Sequence, residues 1–316
     1  MLRYIAGRIA ASAGVLLALS ILCFLIIRLI PGDPVANIVD TDSATPEQIE
    51  AIRDQLGLNR PWFEQYLSWL GGLLTGNPGS SLTMPVLLQD QVATRLPVTI
   101  ELAFIATIVA VIFGLCFGIA AAYWRGRVPD VSIRALAFLL MSLPEFIAAT
   151  FVVVVNSFTL QLPLLGYQSW EQSPSGHVMS LLIPGILLGL GSGAVLTRYV
   201  RNSLIDALDQ DYIRTARAKG ASQLRLVFRH ALRNSMIPVV TVVGTTLALL
   251  IGGTVVIENV FTLPGMGTAL ITAMNTSDYP AIQTYVVILG AFYVLINLLV
   301  DLSYPLIDPR VRLVKK

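Results

Sequence analysis

Six stretches of this 316-residue chain are longer and more apolar than a water-soluble core requires. A helix needs about 20 apolar residues to cross the roughly 30 Å hydrocarbon layer of a bilayer. Ile9 to Ile27 carries no charge and is bracketed by Arg8 and Arg28. Leu102 to Trp124 follows, then a run that begins after Arg134 and reaches about Phe158. Val178 to Thr197, Met236 to Ile257 and Pro280 to Val300 complete the set. The third run is the weakest, because Pro144 and Glu145 interrupt it. Charged residues make up 13% of the chain, about half the share usual in soluble domains. The expected fold is an all-α integral membrane protein with six transmembrane helices.

The first run could be read as a secretory signal, but its apolar part is too long. "RLIPGDP" also follows it where a small-x-small cleavage site would stand. It is read as a retained helix. Orientation follows from the basic residues, which favour the cytoplasmic side. With six spans, all but four of the 21 lysines and arginines fall on the side that holds both termini; the exceptions are Arg28, Arg53, Arg60 and Arg95. Both termini are expected in the cytoplasm.

Four regions result. Residues 1–30 hold the tail and first span, and residues 31–97 an extracytoplasmic loop. Residues 98–305 carry the remaining spans, including a cytoplasmic loop over 198–235, and residues 306–316 are a basic tail. The outer loop is acidic and rich in turn formers. "TPEQIEAIRDQLGL" predicts a helix with Thr45 as N-cap, Pro46 at its first position and Gly57 as its stop, with Ile49, Ile52 and Leu56 on one face. "RPWFEQYLSWLGGLL" sets Trp62, Tyr66 and Trp69 at helical spacing, as an interfacial amphipathic segment would. The loop reads either as a cap over the outer mouth or as a docking surface or vestibule.

Positive charge concentrates in one segment. "DYIRTARAKGASQLRLVFRHALRN" holds Arg214, Arg217, Lys219, Arg225, Arg229 and Arg233 against a single acid, Asp211. Gly220 divides it. Before the glycine, Leu204, Ala207, Leu208, Ile213 and Ala216 form an interrupted apolar face; Thr215, Ala216 and Ala218 are small. After it, Ser222 is a candidate N-cap. Leu224, Val227, Phe228, Ala231 and Leu232 recur at steps of three and four, with Arg225, Arg229 and Arg233 on another face. That is the pattern of a helix along the membrane surface. Passive contact with headgroups, nucleic-acid binding and docking to another protein compete for this segment. A net charge of +2 and the lack of a recognition fold weigh against nucleic acid.

"QDYIRTARAKG" followed by "LRNSMIPVVT" resembles the EAA loop of ABC importer permeases, in the branch serving peptides, glutathione and nickel. "MLRYIAGRIA", "RLIPGDPV", "LGLNRPWFEQY", "TRLPVTIELA", "YWRGRVPD", "IGGTVVIENVFTLPGMG", "SDYPAIQ" and "NLLVDLSYPLIDPRVR" are similar to that branch along nearly the whole chain. The wider EAA pattern has a glutamate six residues before its glycine and a proline near its end; Arg214 and Arg233 stand there, as suits this branch.

The resemblance implies a type I importer permease. It also implies a short coupling helix that fits a groove on a cytoplasmic ATPase, so that ATP-driven closure rocks the spans. Its residues here are Asp211, Tyr212, Arg214, Thr215, Ala216, Arg217, Ala218 and Lys219, with Gly220 as the bend. Arg214, Arg217 and Lys219 are expected to face the groove, where such charges set orientation and association rate more than affinity. "FTLPGMGTALITAMNTSDYP" resembles the family's outer element that re-enters the membrane edge. Glu145, Glu258, Asn259, Phe261, Pro264 and Gly265 are the pathway and gate candidates. The implied partners are a second homologous permease, two ABC ATPase subunits and an extracytoplasmic solute-binding protein, in the bacterial inner membrane. Short peptides are the first choice of cargo, then glutathione, then chelated nickel.

The three lysines, Lys219, Lys315 and Lys316, leave no P-loop, so ATP and Mg²⁺ are expected on the partner ATPases and no cofactor or catalytic residue on this chain. Two cysteines and two histidines, far apart, argue against a metal cluster. An ion-gradient transporter is the alternative, with Glu145 its best intramembrane carboxylate; Glu101 and Asp301 lie near span ends. Protease and esterase motifs are absent. "GLGSG" and "IGGT" point to close helix packing more than to contact with substrate.

Overall fold

Glycines decide how the central helices meet. In the computed structural model, which describes residues 2–29, 45–55, 57–84 and 86–307, the chain is almost wholly helical. The elements are α1 (Leu2–Leu29), α2 (Pro46–Gln55), α3 (Trp62–Leu74), α4 (Leu88–Tyr123), α5 (Val128–Ser142) and α6 (Glu145–Phe158). After them come α7 (Pro174–Leu208), α8 (Asp211–Ala218), α9 (Gln223–Arg225), a π-helical turn (Leu226–Ala231), α10 (Leu232–Val260), α11 (Met266–Asn275) and α12 (Tyr279–Ile307). The acidic stretch from Pro31 to Asp42, Leu56 and the basic tail from Arg310 lie outside the described residues, as do the side chains of Ile49, Ile52 and Arg233.

Two compact units form. The larger comprises Ile100–Leu263 and the chain from Ile296 on. Within it, Gly185, Gly189 and Gly193 line one face of α7 against α4. A Cβ on Gly189 would lie 2.5 Å from the Ala106 carbonyl oxygen, and one on Gly185 2.5 Å from Ile105 Cγ2. The arrangement is reciprocal, because Gly114 and Gly118 of α4 receive Leu196 and Val200 of α7. Without a hydrophobic force between helices in lipid, such close backbone approach is what holds them. The contacts advance together along both helices, so α4 and α7 run parallel. α10 packs antiparallel on α7: Gly253 sits beside Leu188, and Ser203 Oγ donates to the Ser235 carbonyl.

Five described helices are long and apolar enough to span; a sixth span exists if α5 and α6 are taken together. The third run, expected to be interrupted at Pro144 and Glu145, is two pieces of 15 and 14 residues bent by 94°. Pro144 is the cause: it has no N–H to continue a helix and holds φ at −59°. Either piece alone reaches only about 22 Å, but together they traverse the unit. Asp130, at the start of α5, is bonded to Arg201 near the end of α7. Past α6, Gly166 N–H donates to the Phe261 carbonyl just beyond α10, and the Gln168 carbonyl meets His177 near the start of α7. The parallel course of α4 and α7 requires one crossing between them, and the bent pair supplies it.

The smaller unit holds Leu2–Thr99 and Pro264–Leu295. Thr45 caps α2 as expected, in a capping box: its hydroxyl accepts from Gln48 N–H while Gln48 Oε1 accepts from Thr45 N–H. Gly57, at φ +66°, ends that helix. α3 lies on α1, with Tyr66 and Trp69 around Phe24, Tyr66 bonded to Ser20, and Arg28 over the Phe24 ring while donating to Gln65. Trp62, Phe63, Leu67 and Leu74 remain exposed, as in an amphipathic interfacial helix. Asp278 caps α12 through Ala281 N–H and also accepts from Ser81, Leu82 and Thr83, so one buried carboxylate closes a loop onto a helix start.

Candidate functional site

The basic loop begins where α7 ends. Asp209 caps α7, and both its oxygens lie 2.9 Å from Arg125 Nη1 in the turn after α4. Gln210 then turns the chain, and α8 starts with Asp211 at its positive end and carries Arg217 in its last turn, both signs suited to the helix dipole. One side chain fixes α8: Ile213 is fully buried among Leu196, Val200, Leu204, Leu226 and Val239. Ala207, Leu208, Ala216 and Ala221 pack around this cluster. The expected apolar face before Gly220 is thus the face that seats α8. Ala216 belongs to it, and so turns toward its own chain.

Tyr212, Arg214, Thr215, Arg217, Ala218 and Lys219 are exposed, as are Asp211 and Gly220. Among them Arg214 pairs with Asp211 at 3.3 Å; at this exposure the ion pair is worth about 0–1 kcal/mol. Gly220 ends α8 in a Schellman turn. Its φ is +82°, its N–H donates to the Arg217 carbonyl, and the Ala221 N–H reaches back to Ala216. A β-carbon is disfavoured at that φ, so glycine is required for the elbow itself.

Past the elbow the structure departs from the sequence pattern. Ser222 has an extended N-cap backbone, but its side chain makes no capping bond. Leu226, Val227 and Ala231 are buried, whereas Leu224 and Phe228 are exposed. The single apolar face expected from Leu224 to Leu232 is split. The reason is the π turn, whose i→i+5 bonding places an extra residue in the turn and shifts the phase of all side chains before it. Arg225 and Arg229 are exposed, as expected.

A buried network that sequence reading missed ties the start of α5 to α7. Asp130 is completely buried; Arg201 Nε and Nη2 donate to its two oxygens at 2.7 and 2.8 Å, Gly126 N–H donates at 2.9 Å, and Arg134 Nε lies at 3.3 Å. "GRVPD" did contain a signal: a proline at the first turn with an acid at its third position marks a helix start. The arginine partner, 71 residues on, left none.

The pathway candidates separate. Glu145 is half-buried, and its Oε2 lies 3.4 Å from where a Cβ on Gly253 would stand, so the "IGGT" glycine serves close approach. Glu258 and Phe261 are fully buried. Their backbone carbonyls close the end of α10, accepting from Leu263 and Gly166 N–H groups. Asn259 is exposed. Pro264 and Gly265 belong to the other unit, leading into α11, which at ten residues is too short to span. At the same end of the larger unit, His177 Nε2 lies 2.9 Å from Glu101 Oε2, between the edges of Tyr167 and Trp170. Burial, with the Glu101 charge adding, pushes the Tyr167 phenol up. No group of three or more His, Cys, Asp or Glu able to hold a metal occurs among the described residues.

Long parallel and antiparallel spans, a broken third crossing and a short helix seated at the bundle's basic end define a multi-span membrane subunit. The chain belongs to the family of binding-protein-dependent transport system inner membrane components: residues 114–313 match that family, and residues 1–103 match its N-terminal part. A protein of Brucella abortus named as a peptide transport system permease is 41% identical over 313 residues, covering 99% of each chain. The glutathione transport system permease protein of Shigella flexneri is 37% identical over 313 residues, again covering 99% of each. In fold, the chain is similar to one from the MetNI methionine ABC transporter, solved in inward-facing conformations. The TM-score is 0.55 at 17% identity, over 69% of this chain and 96% of that one.

Proposed function

We propose that this inner-membrane component forms half of the translocation pathway of an ATP-driven importer for short peptides, with glutathione as the next candidate cargo. The observation that carries the reading is the construction of α8. Its apolar side chain Ile213 is spent on the bundle, and Arg214, Thr215, Arg217, Ala218 and Lys219 are left for a partner. A passive loop has no need of a buried anchor and a glycine-specific turn. The names of the relatives support peptide cargo.

The working arrangement is a second permease related to this one, two ATPase subunits that bind ATP and Mg²⁺ in the cytoplasm, and an external binding protein that delivers cargo. Both termini are cytoplasmic, which puts α8 on the ATPase side. ATP binding closes the ATPases, α8 transmits the motion through Ile213 into α7 and α10, and the pathway opens outward. Hydrolysis returns it inward. The ion-gradient alternative draws no support from the relatives, and Glu145 is assigned to packing beside Gly253.

The test is uptake of a labelled dipeptide by the reconstituted importer carrying Arg214→Glu with Arg217→Glu, or Gly220→Asp. Uptake is expected to fall at least about tenfold, the effect of roughly 1.4 kcal/mol of lost coupling, while ATPase activity persists and the chain stays inserted. Normal uptake in these variants would remove α8 from the mechanism. Dissipating the proton gradient at constant ATP is expected to leave uptake intact, and excess glutathione reports whether it shares the route.

A further inference from the structure

The two limbs of the basic elbow have opposite surfaces. On α8 the exposed side chains are polar or small, Tyr212 apart, and the bulky apolar one is buried. On the limb that follows, two bulky apolar side chains point outward: Leu224 is 57% exposed and Phe228 53%. Each is followed by an arginine, Arg225 and Arg229, also exposed. Among the described residues neither guanidinium has an ion-pair or hydrogen-bond partner. The π turn produces this arrangement. With Leu226, Val227 and Ala231 buried, Leu224 and Phe228 are left on the outside.

We propose that Leu224–Arg225 and Phe228–Arg229 form an anchor to the surface of an anionic phospholipid bilayer, with the two apolar side chains in the headgroup–acyl boundary and the guanidiniums on lipid phosphates. The occupant follows from position and charge. This limb runs without a break into α10, which is long and apolar enough to span a membrane, so it adjoins the end of a span. Two bulky apolar groups beside two exposed cations match that boundary, where basic side chains keep their stems in the apolar layer and their heads in the polar one. The anionic cytoplasmic leaflet contributes about 1 kcal/mol per basic residue near it. The proposal rests on the cytoplasmic placement of this end given above. It divides the labour across Gly220: α8 is presented to protein, and the limb after it is held by lipid.

A spin label on Phe228→Cys or, independently, Leu224→Cys tests this. The full chain carries Cys23→Ser and Cys116→Ser and is placed in vesicles of phosphatidylcholine with or without phosphatidylglycerol, without cargo, ATP or partner subunits. A label on Thr215→Cys in α8 is the aqueous control. Collision with oxygen is expected to dominate over collision with a water-soluble nickel chelate at 228 and 224, and the reverse at 215. In phosphatidylglycerol vesicles, Arg225→Gln and Arg229→Gln are each expected to weaken the shielding about fivefold, the equivalent of one basic residue at an anionic surface. They are expected to have no effect in pure phosphatidylcholine. Nickel-chelate access at 228 equal to that at 215 would overturn the anchor, as would shielding that arises only once the ATPase subunits are added. Shielding unchanged by the arginine variants would overturn the anionic part. Because the assay involves no transport, its failure leaves the coupling role of α8 standing, and failure of the uptake assay leaves this result intact.

Discussion

α7 and the α5–α6 pair cross the same unit, and they are built in opposite ways. α7 is a single helix of 35 residues whose buried side chains run from His177 to Leu204, set against α4 by three glycines four residues apart. The pair buries only Asp130 and Ala137 on α5 and Ala149 on α6. It turns Phe138, Phe146, Phe151 and Phe158 outward. One crossing is fixed along its length by dry contact. The other is fixed at its ends, by Asp130 at one and by the loop through Gly166 at the other, with a proline bend between. In lipid, where burying an apolar side chain gains nothing over leaving it in the acyl chains, position comes from close backbone approach or from polar bonds. The two crossings use one each.

Removing the polar end-fixing should cost most. Asp130→Ala leaves Arg201, only 16% exposed, without its partner, and breaking a buried pair this way costs about 3–5 kcal/mol. The expected result is a large drop in the melting temperature of the purified chain in detergent, with Asp130→Asn falling between it and the parent. An unchanged melting temperature would mean that α5 is held by something other than its first turn. Gly189→Val attacks the other device. Its Cβ meets a backbone carbonyl at 2.5 Å, which α4 cannot yield without moving as a whole; overpacking of this kind costs about 1–3 kcal/mol. Gly191→Ala, on the same helix with nothing within 4 Å, is the matched control and should be silent.

Smaller effects probe the bend and the outward face. Pro144→Ala should lower stability by at most about 1 kcal/mol, through the freer unfolded chain. Between spin labels at Phe138 and Phe151 it should broaden the distance distribution, because the block to a continuous helix has gone. A sharp, unshifted distance would show that packing alone enforces the 94° bend. Phe151→Ala, at a side chain 66% exposed, should change the isolated chain by no more than about 0.5 kcal/mol. A larger loss would place this face inside the protein.

The parts of this architecture readable in the sequence are those set by bonds a few residues long. Thr45, Pro46 and Gly57 announce α2 and its limits, since a cap and a glycine stop need only neighbours. Gly220 announces the elbow for the same reason. The apolar spacing of Leu204, Ala207, Leu208, Ile213 and Ala216 marked an apolar face, but not that the face seats α8 on its own chain, Ala216 included. The same reasoning failed a few residues on, at Leu224 and Phe228. A π turn changes the phase of a helix, and nothing in "LRLVFRHA" declares one. Asp278, which caps α12 and anchors Ser81 and Thr83 nearly 200 residues earlier, was not read from the sequence, because those partners meet only in the fold.

Hydrophobic length and the uneven placement of arginine were enough to establish a membrane protein with several spans and one basic elbow, because the cost of putting charge or bare backbone in hydrocarbon is the same wherever the chain goes. Which glycines face which helix, how far the third crossing bends at Pro144, and that Arg201 closes on Asp130 were decided only by the folded chain. Those contacts join residues whose separation carries no periodic signal, and they exist only once two helices are already side by side.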